Sequence, residues 1–293
     1  MSIISIENLT KDYNKKGIFD LNLKVEKGCV FGFLGPNGAG KTTTIRNLLG
    51  FIKPTLGRCE INGLDCFKDY AKIQKSLGYL PGETAFINEM TGDEFIKFYG
   101  SLKGMSDYSR VNELKKILDF TQNIKIKKMS KGTKQKIAII CAFMANPDIL
   151  ILDEPSSGLD PLMQNRFIEM ILKEKEKGTT IFLSSHIFEE IEKCCDAAAI
   201  IKDGRLVANE KIAKLSQTKS KTYTITFEDE SEAKSCAEKF EQSNLLKNTL
   251  EITLSGSPRE LINYLYEKNI VSFDVKTQSL EEVFMHFYGG KEI

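Results

Sequence analysis

The segment "GPNGAGKT", Gly35 to Thr42, combines glycine, lysine and hydroxyl residues at a spacing suited to phosphate binding. It fits G-x-x-x-x-G-K-[ST] at every specified position, after the apolar run Cys29–Leu34 and before a helix-like stretch, 41–49. Glycines let backbone N–H groups approach phosphate oxygens, and the following helix directs its positive end at the same anion. We therefore expect a nucleoside triphosphate here, with Lys41 at the β- and γ-phosphates. The residues expected to bind it are Gly35, Pro36, Asn37, Gly38, Ala39, Gly40, Lys41, Thr42 and Thr43.

Two adjacent acidic residues follow a second apolar run, Ile149–Leu152. Four consecutive apolar residues predict a parallel strand that is buried on both faces. Open α/β sheets bind ligands at the carboxyl ends of such strands. We expect Asp153 and the Thr42 hydroxyl to hold magnesium, and Glu154 to accept a proton from the water that attacks the γ-phosphate.

A second helix start with phosphate-binding character lies in "KMSKGTKQKIAIICAFMANP". Ser130 is expected to cap this helix, because apolar residues recur after it at intervals of three and four positions. Gly132 leaves the backbone open to an anion at the same place. The chain therefore has two helix starts that can bind phosphate.

The order of the phosphate loop, this serine–glycine signature, the Asp-Glu strand, "SGLD" and "SSH" resembles the ATP-binding-cassette (ABC) ATPases. The resemblance covers about residues 2 to 210. It implies an α/β fold, a P-loop NTPase cassette with an antiparallel β subdomain and an inserted helical subdomain at about 83–147. It also implies ATP and Mg²⁺, and two cassettes that dimerise head to tail, as a homodimer or heterodimer. Each nucleotide then lies between one chain's phosphate loop and the partner's signature.

The same resemblance implies roles for single residues. Asp160 in "SSGLD" would signal across the dimer, and His186 in "SSH" would bond the γ-phosphate. Tyr13 stands where the family places an aromatic ring against adenine. The residues expected to contact the γ-phosphate of the opposite site are Ser130, Lys131, Gly132 and Thr133.

Two positions depart from the family pattern. Lys131 replaces a glycine, and the form "SKG-x-KQK" resembles exporter-type cassettes that pair with a separate permease. Gly82 stands where the family carries a glutamine on the magnesium, and Glu83 follows it. Either a water molecule fills that ligand position or Glu83 turns towards the metal. An added carboxylate would also face the phosphates.

The segment after Gly82 predicts a helix that begins with a capping box, Thr91 and Glu94, and carries an apolar stripe. The stripe, Phe95, Phe98 and Leu102, is expected to belong mostly to the core. The family resemblance implies that the preceding loop, with Phe86, Ile87 and Met90, receives the coupling helix of the permease.

A second domain is expected at 214–293, after an ABC domain at 1–213. Its pattern predicts β-α-β-β-α-β, compatible with a small ferredoxin-like α+β domain. A capping box is expected at Ser257 and Glu260, with proline at the first helical position. A last helix is expected over Leu280–Tyr288. Nothing in this tail predicts catalysis.

Composition narrows the functions further. Lys plus Arg total 41 and Asp plus Glu 40, so we expect no nucleic-acid partner. The seven cysteines form no C-x-x-C, which favours reduced packing residues over a metal site. The N-terminal ten residues predict a strand, not a signal peptide. The longest apolar run, Ile137–Ala145, has nine residues and is too short to span a bilayer.

We therefore interpret the chain as the ATPase subunit of an exporter for a drug, antibiotic peptide or lipid-like cargo. It would lie at the cytoplasmic side of the membrane, bound to a permease on another chain. The alternatives are a soluble cassette ATPase outside transport and a nucleotide-gated regulator that hydrolyses ATP poorly because of Gly82.

Overall fold

The computed structural model describes residues 2–121, 123–217, 219–240, 243–254 and 256–283, without the side chains of 216 and 217. The chain divides into two compact units, Met1–Ile212 and Ala213–Ile293. Among the described residues, no helix combines the length and apolar character needed to cross a membrane.

The first unit alternates strands and helices. Its strands are β1 Ser2–Asp12, β2 Gly17–Glu26, β3 Val30–Leu34, β4 Leu56–Ile61, β5 Leu64–Asp65, β6 Leu77–Leu80, β7 Ile149–Asp153, β8 Thr180–Ser185, β9 Ala197–Lys202 and β10 Arg205–Lys211. Its helices are α1 Lys41–Leu48, α2 Tyr70–Ser76, α3 Gly92–Leu102, α4 Ser109–Ile117, α5 Lys131–Phe143, α6 Pro161–Glu176, α7 Phe188–Cys194 and α8 Ile212–Gln217. Helix α8 begins at the last residue of the first unit and continues into the second. A 3₁₀ turn lies at Ile126–Lys128.

The main sheet has the order β10-β9-β3-β8-β7-β6. β3, β7 and β8 are buried along their whole length, as their apolar sequences predict for parallel strands covered on both faces. The pairs β3–β8, β8–β7 and β7–β6 are parallel. Their carboxyl ends therefore meet at one edge of the sheet.

The second sheet is antiparallel, with the order β2-β1-β4-β5, and shares a core with the main sheet. Ile6 and Leu21 of the antiparallel sheet and Phe33 of β3 belong to one buried cluster. The ring of Phe182 lies 5.4 Å from that of Phe33 and 5.9 Å from that of Phe31. This shared core confirms the expected cassette fold, since the two sheets pack as one body.

Helices α3 to α5 form the inserted helical part. The capping box at Thr91 and Glu94 is confirmed: each residue bonds the other's backbone N–H. The expected core stripe is wrong at two of its three positions, because Phe98 is 39% and Leu102 69% exposed. The buried face of α3 instead consists of Gly92, Phe95, Ile96 and Gly100. A Cβ at Gly92 would lie 2.5 Å from the Phe120 ring and one at Gly100 2.6 Å from the Tyr108 hydroxyl, so this face of α3 packs against those two rings.

The second unit contains β11 Lys221–Phe227, α9 Glu230–Lys239, β12 Ser243–Leu246, β13 Thr249–Leu254, α10 Arg259–Leu265 and β14 Ile270–Thr277. The sheet order is β12-β13-β11-β14, with every pair antiparallel. Tyr223, Ile225 and Phe227 are buried on one face of β11, as their alternation predicts. Its element order is β-α-β-β-α-β.

One cap expected in this unit is wrong. Helix α10 begins at Arg259 after Pro258, so the proline precedes the helix, and no side chain caps α10. Ser257 Oγ instead accepts a long bond, 3.4 Å, from the Arg259 N–H. The expected last helix begins with a capping box between Ser279 and Glu282. Its part beyond Val283 lies outside the described residues.

Candidate nucleotide-binding site

Strand register brings the motifs of distant segments to one edge of the main sheet. Leu34 pairs with Ser185, Asp153 with Ser184, and Leu80 with Leu152. The segments that follow these strands carry the glycine loop, the acidic pair, the histidine and Gly82. The six-stranded order therefore assembles residues that lie more than a hundred positions apart.

Lys41 is held directly over the glycine loop. Its Nζ donates to the backbone oxygens of Gly35 at 2.6 Å and Pro36 at 3.2 Å, and lies 3.1 Å from Glu154 Oε1. The residue is only 5% exposed. Gly40, with φ +112°, precedes it in a conformation that glycine adopts without strain. The loop thus presents an ammonium group and the N-terminal end of α1 to the same point.

Thr42, Asp153 and Ser184 form a compact oxygen cluster. Thr42 Oγ1 donates to Asp153 Oδ2 at 2.9 Å, and Ser184 Oγ donates to Asp153 Oδ1 at 2.5 Å. Asp153 is buried, with 2% exposed. A carboxylate and a hydroxyl are hard oxygen donors, so this pair fits magnesium that takes its other ligands from water and phosphate.

Gly82 lies beside this cluster. A Cβ at Gly82 would be 3.6 Å from Asp153 Oδ2, an ordinary van der Waals distance. The position therefore has room for a side chain but offers no ligand. Glu83, the possible substitute, is exposed.

Glu154 is engaged through both carboxylate oxygens. Oε1 pairs with Lys41, and Oε2 lies 3.0 Å from Nδ1 of the half-exposed His186. Its backbone has φ +48°, an unusual value for a glutamate. The Glu154 N–H donates to both the backbone oxygen and Oγ of Ser184, at 3.1 Å each. These bonds hold the strained residue in place, and its side chain is directed between the lysine and the histidine.

The signature residues form a separate group at the start of α5. Ser130 accepts from the Thr133 N–H at 3.1 Å, which confirms it as the N-cap. Lys131 Nζ donates to Ser157 Oγ at 3.1 Å within the same chain. A Cβ at Gly132 would lie 2.8 Å from the backbone oxygen of Gly158. Within the described ranges, no hydrogen bond or ion pair joins this group to Lys41 or Glu154.

The two remaining expected residues stand apart. Asp160 caps α6 by accepting from the Met163 N–H at 3.0 Å. Tyr13, directly after β1, is half-exposed, with Lys11 Nζ 5.2 Å from its ring centroid. The ring is therefore partly accessible at the end of β1, with the Lys11 ammonium over it.

Sequence reasoning missed two residues. The Gly204 N–H donates to the Ala39 backbone oxygen at 3.0 Å, and a Cβ at Gly204 would lie 2.2 Å from Gly17 O, so the β9–β10 turn braces the glycine loop. Glu190 of α7 is buried near the histidine, and burial raises the pKa of its carboxyl. The signal that could have found it is its spacing from Ile187, Ile191 and Cys194, which puts the glutamate on an apolar helix face.

Comparisons with known proteins agree with this geometry. The family model described as "ABC transporter" matches residues 18–157. The bacitracin transport ATP-binding protein BcrA of Bacillus licheniformis is 33% identical over 307 aligned positions, covering 100% of this chain and 99% of that protein. A solved ATP-binding subunit of an ABC transporter covers 74% of this chain and 92% of its own, with TM-score 0.68 and 30% identity. A dimeric post-hydrolysis cassette, MJ0796, bound to ADP and Pi, covers 71% of this chain and 98% of its own, with TM-score 0.65 at 23% identity, a likeness of fold alone.

Proposed function

This chain belongs to the ATP-binding proteins of ABC transporters, and we propose that it drives export through a separate membrane permease by closing and reopening a dimer of cassettes. As a member of that family it binds and hydrolyses ATP. The finer proposals concern the roles of single residues, the dimer, the permease and the cargo.

The residues divide the work of hydrolysis. Glycine-loop N–H groups and Lys41 bind the phosphates, and Tyr13 stacks on adenine. Thr42 and Asp153 hold magnesium, which supplies charge neutralisation at the β- and γ-phosphates when bound. Glu154 accepts the proton of the attacking water. His186, beside Glu154, binds the γ-phosphate. Positioning and electrostatics carry the reaction.

The separation of the signature from the Lys41 cluster supports the dimer, and it is the observation that carries the proposal. Ser130 and Lys131 are exposed at a helix start and, among the described residues, have no bond to the phosphate loop of their own chain. A helix N-terminus with a serine cap and an open glycine binds anions well. A second copy brings this group to the γ-phosphate, and Asp160 reports closure between the subunits.

An exposed apolar surface supports the permease partner. Phe51 is 57% exposed and packs edge-on against Tyr79, with centroids 5.8 Å apart. Ile87 is also exposed, and Leu102 borders a groove between α2 and α3. Tyr99 and Leu102 line this groove, and an exposed large apolar side chain at a groove is a feature of protein docking sites. We place the chain at the cytoplasmic face of the membrane through this contact.

The cargo is proposed from the relative that matches the whole chain. BcrA is described as a bacitracin transport protein. We propose a drug, an antibiotic peptide or a lipid-like molecule as cargo here.

Dimerisation tests the proposal. The mass of the chain is measured by light scattering with Mg²⁺ and either ADP or a non-hydrolysable ATP analogue. We expect dimers with the analogue only, and none in Ser130→Arg, which places a bulky side chain at the signature. Monomers in every condition would refute the sandwich. For the permease, Leu102→Arg should abolish co-purification with the permease chain, while Leu246→Arg, on the second unit, should not.

A further inference from the structure

Glu190 is a buried acidic residue without a role in the proposed mechanism. It lies in the first turn of α7 and is 5% exposed. A carboxyl group is costly to bury unless it makes hydrogen bonds that the fold needs. A first-turn acid stabilises a helix through the dipole even from the surface, whereas a buried one also loses its hydration.

The carboxyl of Glu190 orients the Ser185 hydroxyl, which in turn bonds the backbone after His186. Ser185 Oγ donates to Glu190 Oε2 at 2.6 Å, and Ser185 Oγ itself accepts from the Ile187 N–H at 3.0 Å. A hydroxyl has one hydrogen, and donating it to Glu190 turns the oxygen lone pairs towards Ile187. The residues before and after the histidine are therefore joined to each other through Ser185 Oγ, which Glu190 holds in orientation.

Burial raises the pKa of this carboxyl, and the hydrogen bond from Ser185 lowers it less strongly. Glu190 Oε1 has no hydrogen-bond partner within the part of the chain that the structure describes. Ser185 is therefore the side chain through which Glu190 acts.

We propose that Glu190 is a positioning residue for hydrolysis, which holds the backbone around His186 so that the histidine stays against Glu154. It acts through Ser185 and does not touch the nucleotide. The inference rests on the proposed role of His186.

The test compares Glu190→Ala, Glu190→Gln and Ser185→Ala, with exposed Glu189→Ala as the matched control. In each variant, kcat and KM for ATP, the melting temperature and the analogue-induced dimer are measured. Misplacing a catalytic group by about 1 Å costs up to about 100-fold. We expect Glu190→Ala and Ser185→Ala to lower kcat by about 10-fold or more with KM within about 2-fold, and the dimer to form. Glu190→Gln should keep kcat within about 3-fold, because its amide oxygen accepts from Ser185.

Two outcomes would overturn the inference. A kcat for Ser185→Ala and Glu190→Ala equal to that of Glu189→Ala would show that the histidine needs no such support. A parallel loss of kcat, ATP affinity and melting temperature would show a structural role only. If Glu190→Ala fails to fold, the kcat and melting temperature of Ser185→Ala decide between the two roles. His186→Ala separates a failure of the proposed function of His186 from a failure of the inference about Glu190. If His186→Ala keeps full turnover, the proposed role of His186 fails. If it is inactive while the Ser185 and Glu190 variants are normal, the present inference fails.

Discussion

Replacing Glu154 with glutamine removes the proposed base and almost nothing else. Both carboxylate oxygens are engaged, Oε1 with Lys41 at 3.1 Å and Oε2 with His186 at 3.0 Å. The glutamine amide oxygen can still accept from Lys41, and its NH₂ group can donate to the histidine ring. The shape of the site is therefore kept while the ability to take a proton is lost.

The expected magnitudes follow from this geometry. A general base contributes about 10² to 10⁴ in rate, which corresponds to about 2.7–5.4 kcal/mol in the barrier. Glu154 also competes with phosphate for Lys41, so ATP affinity should stay equal or rise. The hydrogen bond to Lys41 is retained without the negative charge, so we expect a stability loss of about 1–2 kcal/mol. This lowers the melting temperature by about 2–8 °C in a unit of this size.

Phosphate release under saturating ATP and Mg²⁺ measures the rate, and light scattering measures the mass. Glu154→Gln should lose at least about 100-fold in kcat and accumulate as a dimer with ATP itself. Glu189→Gln, an exposed acid on the same helix as Glu190, should match the wild type. Normal turnover by Glu154→Gln would refute the base assignment.

Three further outcomes are expected. Lys41→Ala should lower turnover by at least about 100-fold, because a preorganised charge at the phosphates is lost; undiminished phosphate release would contradict the loop assignment. Gly82→Gln should fold, because a Cβ at this position would lie 3.6 Å from Asp153 Oδ2. Its turnover should differ from that of Gly82→Ala by no more than about 5-fold, because a water ligand serves nearly as well as an amide oxygen. A larger rise would mean that the missing ligand limits the enzyme. Burial raises the pKa of the Glu190 carboxyl above its ordinary value of 4.5. At pH values above 4.5 this carboxyl therefore holds its proton more often in the folded chain than in the unfolded chain, and the free energy of unfolding falls as the pH rises. In urea titrations at pH 5 and pH 7.5, Glu190→Gln should show a smaller fall than the wild type, and an equal fall would contradict the assignment.

Local features were predictable because neighbouring residues encode them. The apolar runs at β3 and β7 are buried strands, and Thr91 and Glu94 cap α3. Ser257 and Glu260 have the same spacing, yet no capping box forms, because Pro258 ends up before α10 and not inside it. The spacing of residues therefore permits a cap without forcing one.

Exposure was less predictable. The spacing of Phe95, Phe98 and Leu102 fits one helix face, but the core lies on another face of α3, beside Gly92 and Gly100. A helix pattern indicates an apolar stripe and does not say which neighbour covers it. For α3 the packing against other elements decided this.

By itself, the sequence determined the chemistry available: a glycine loop, a lysine, two adjacent acids and a histidine, each at the end of a predictable strand. Only the tertiary structure decided which of them meet. Thr42 bonds Asp153 across 111 positions, and His186 meets Glu154 across 32. Backbone conformation depends on near neighbours, whereas contacts between distant segments depend on the order and register of the strands that carry them.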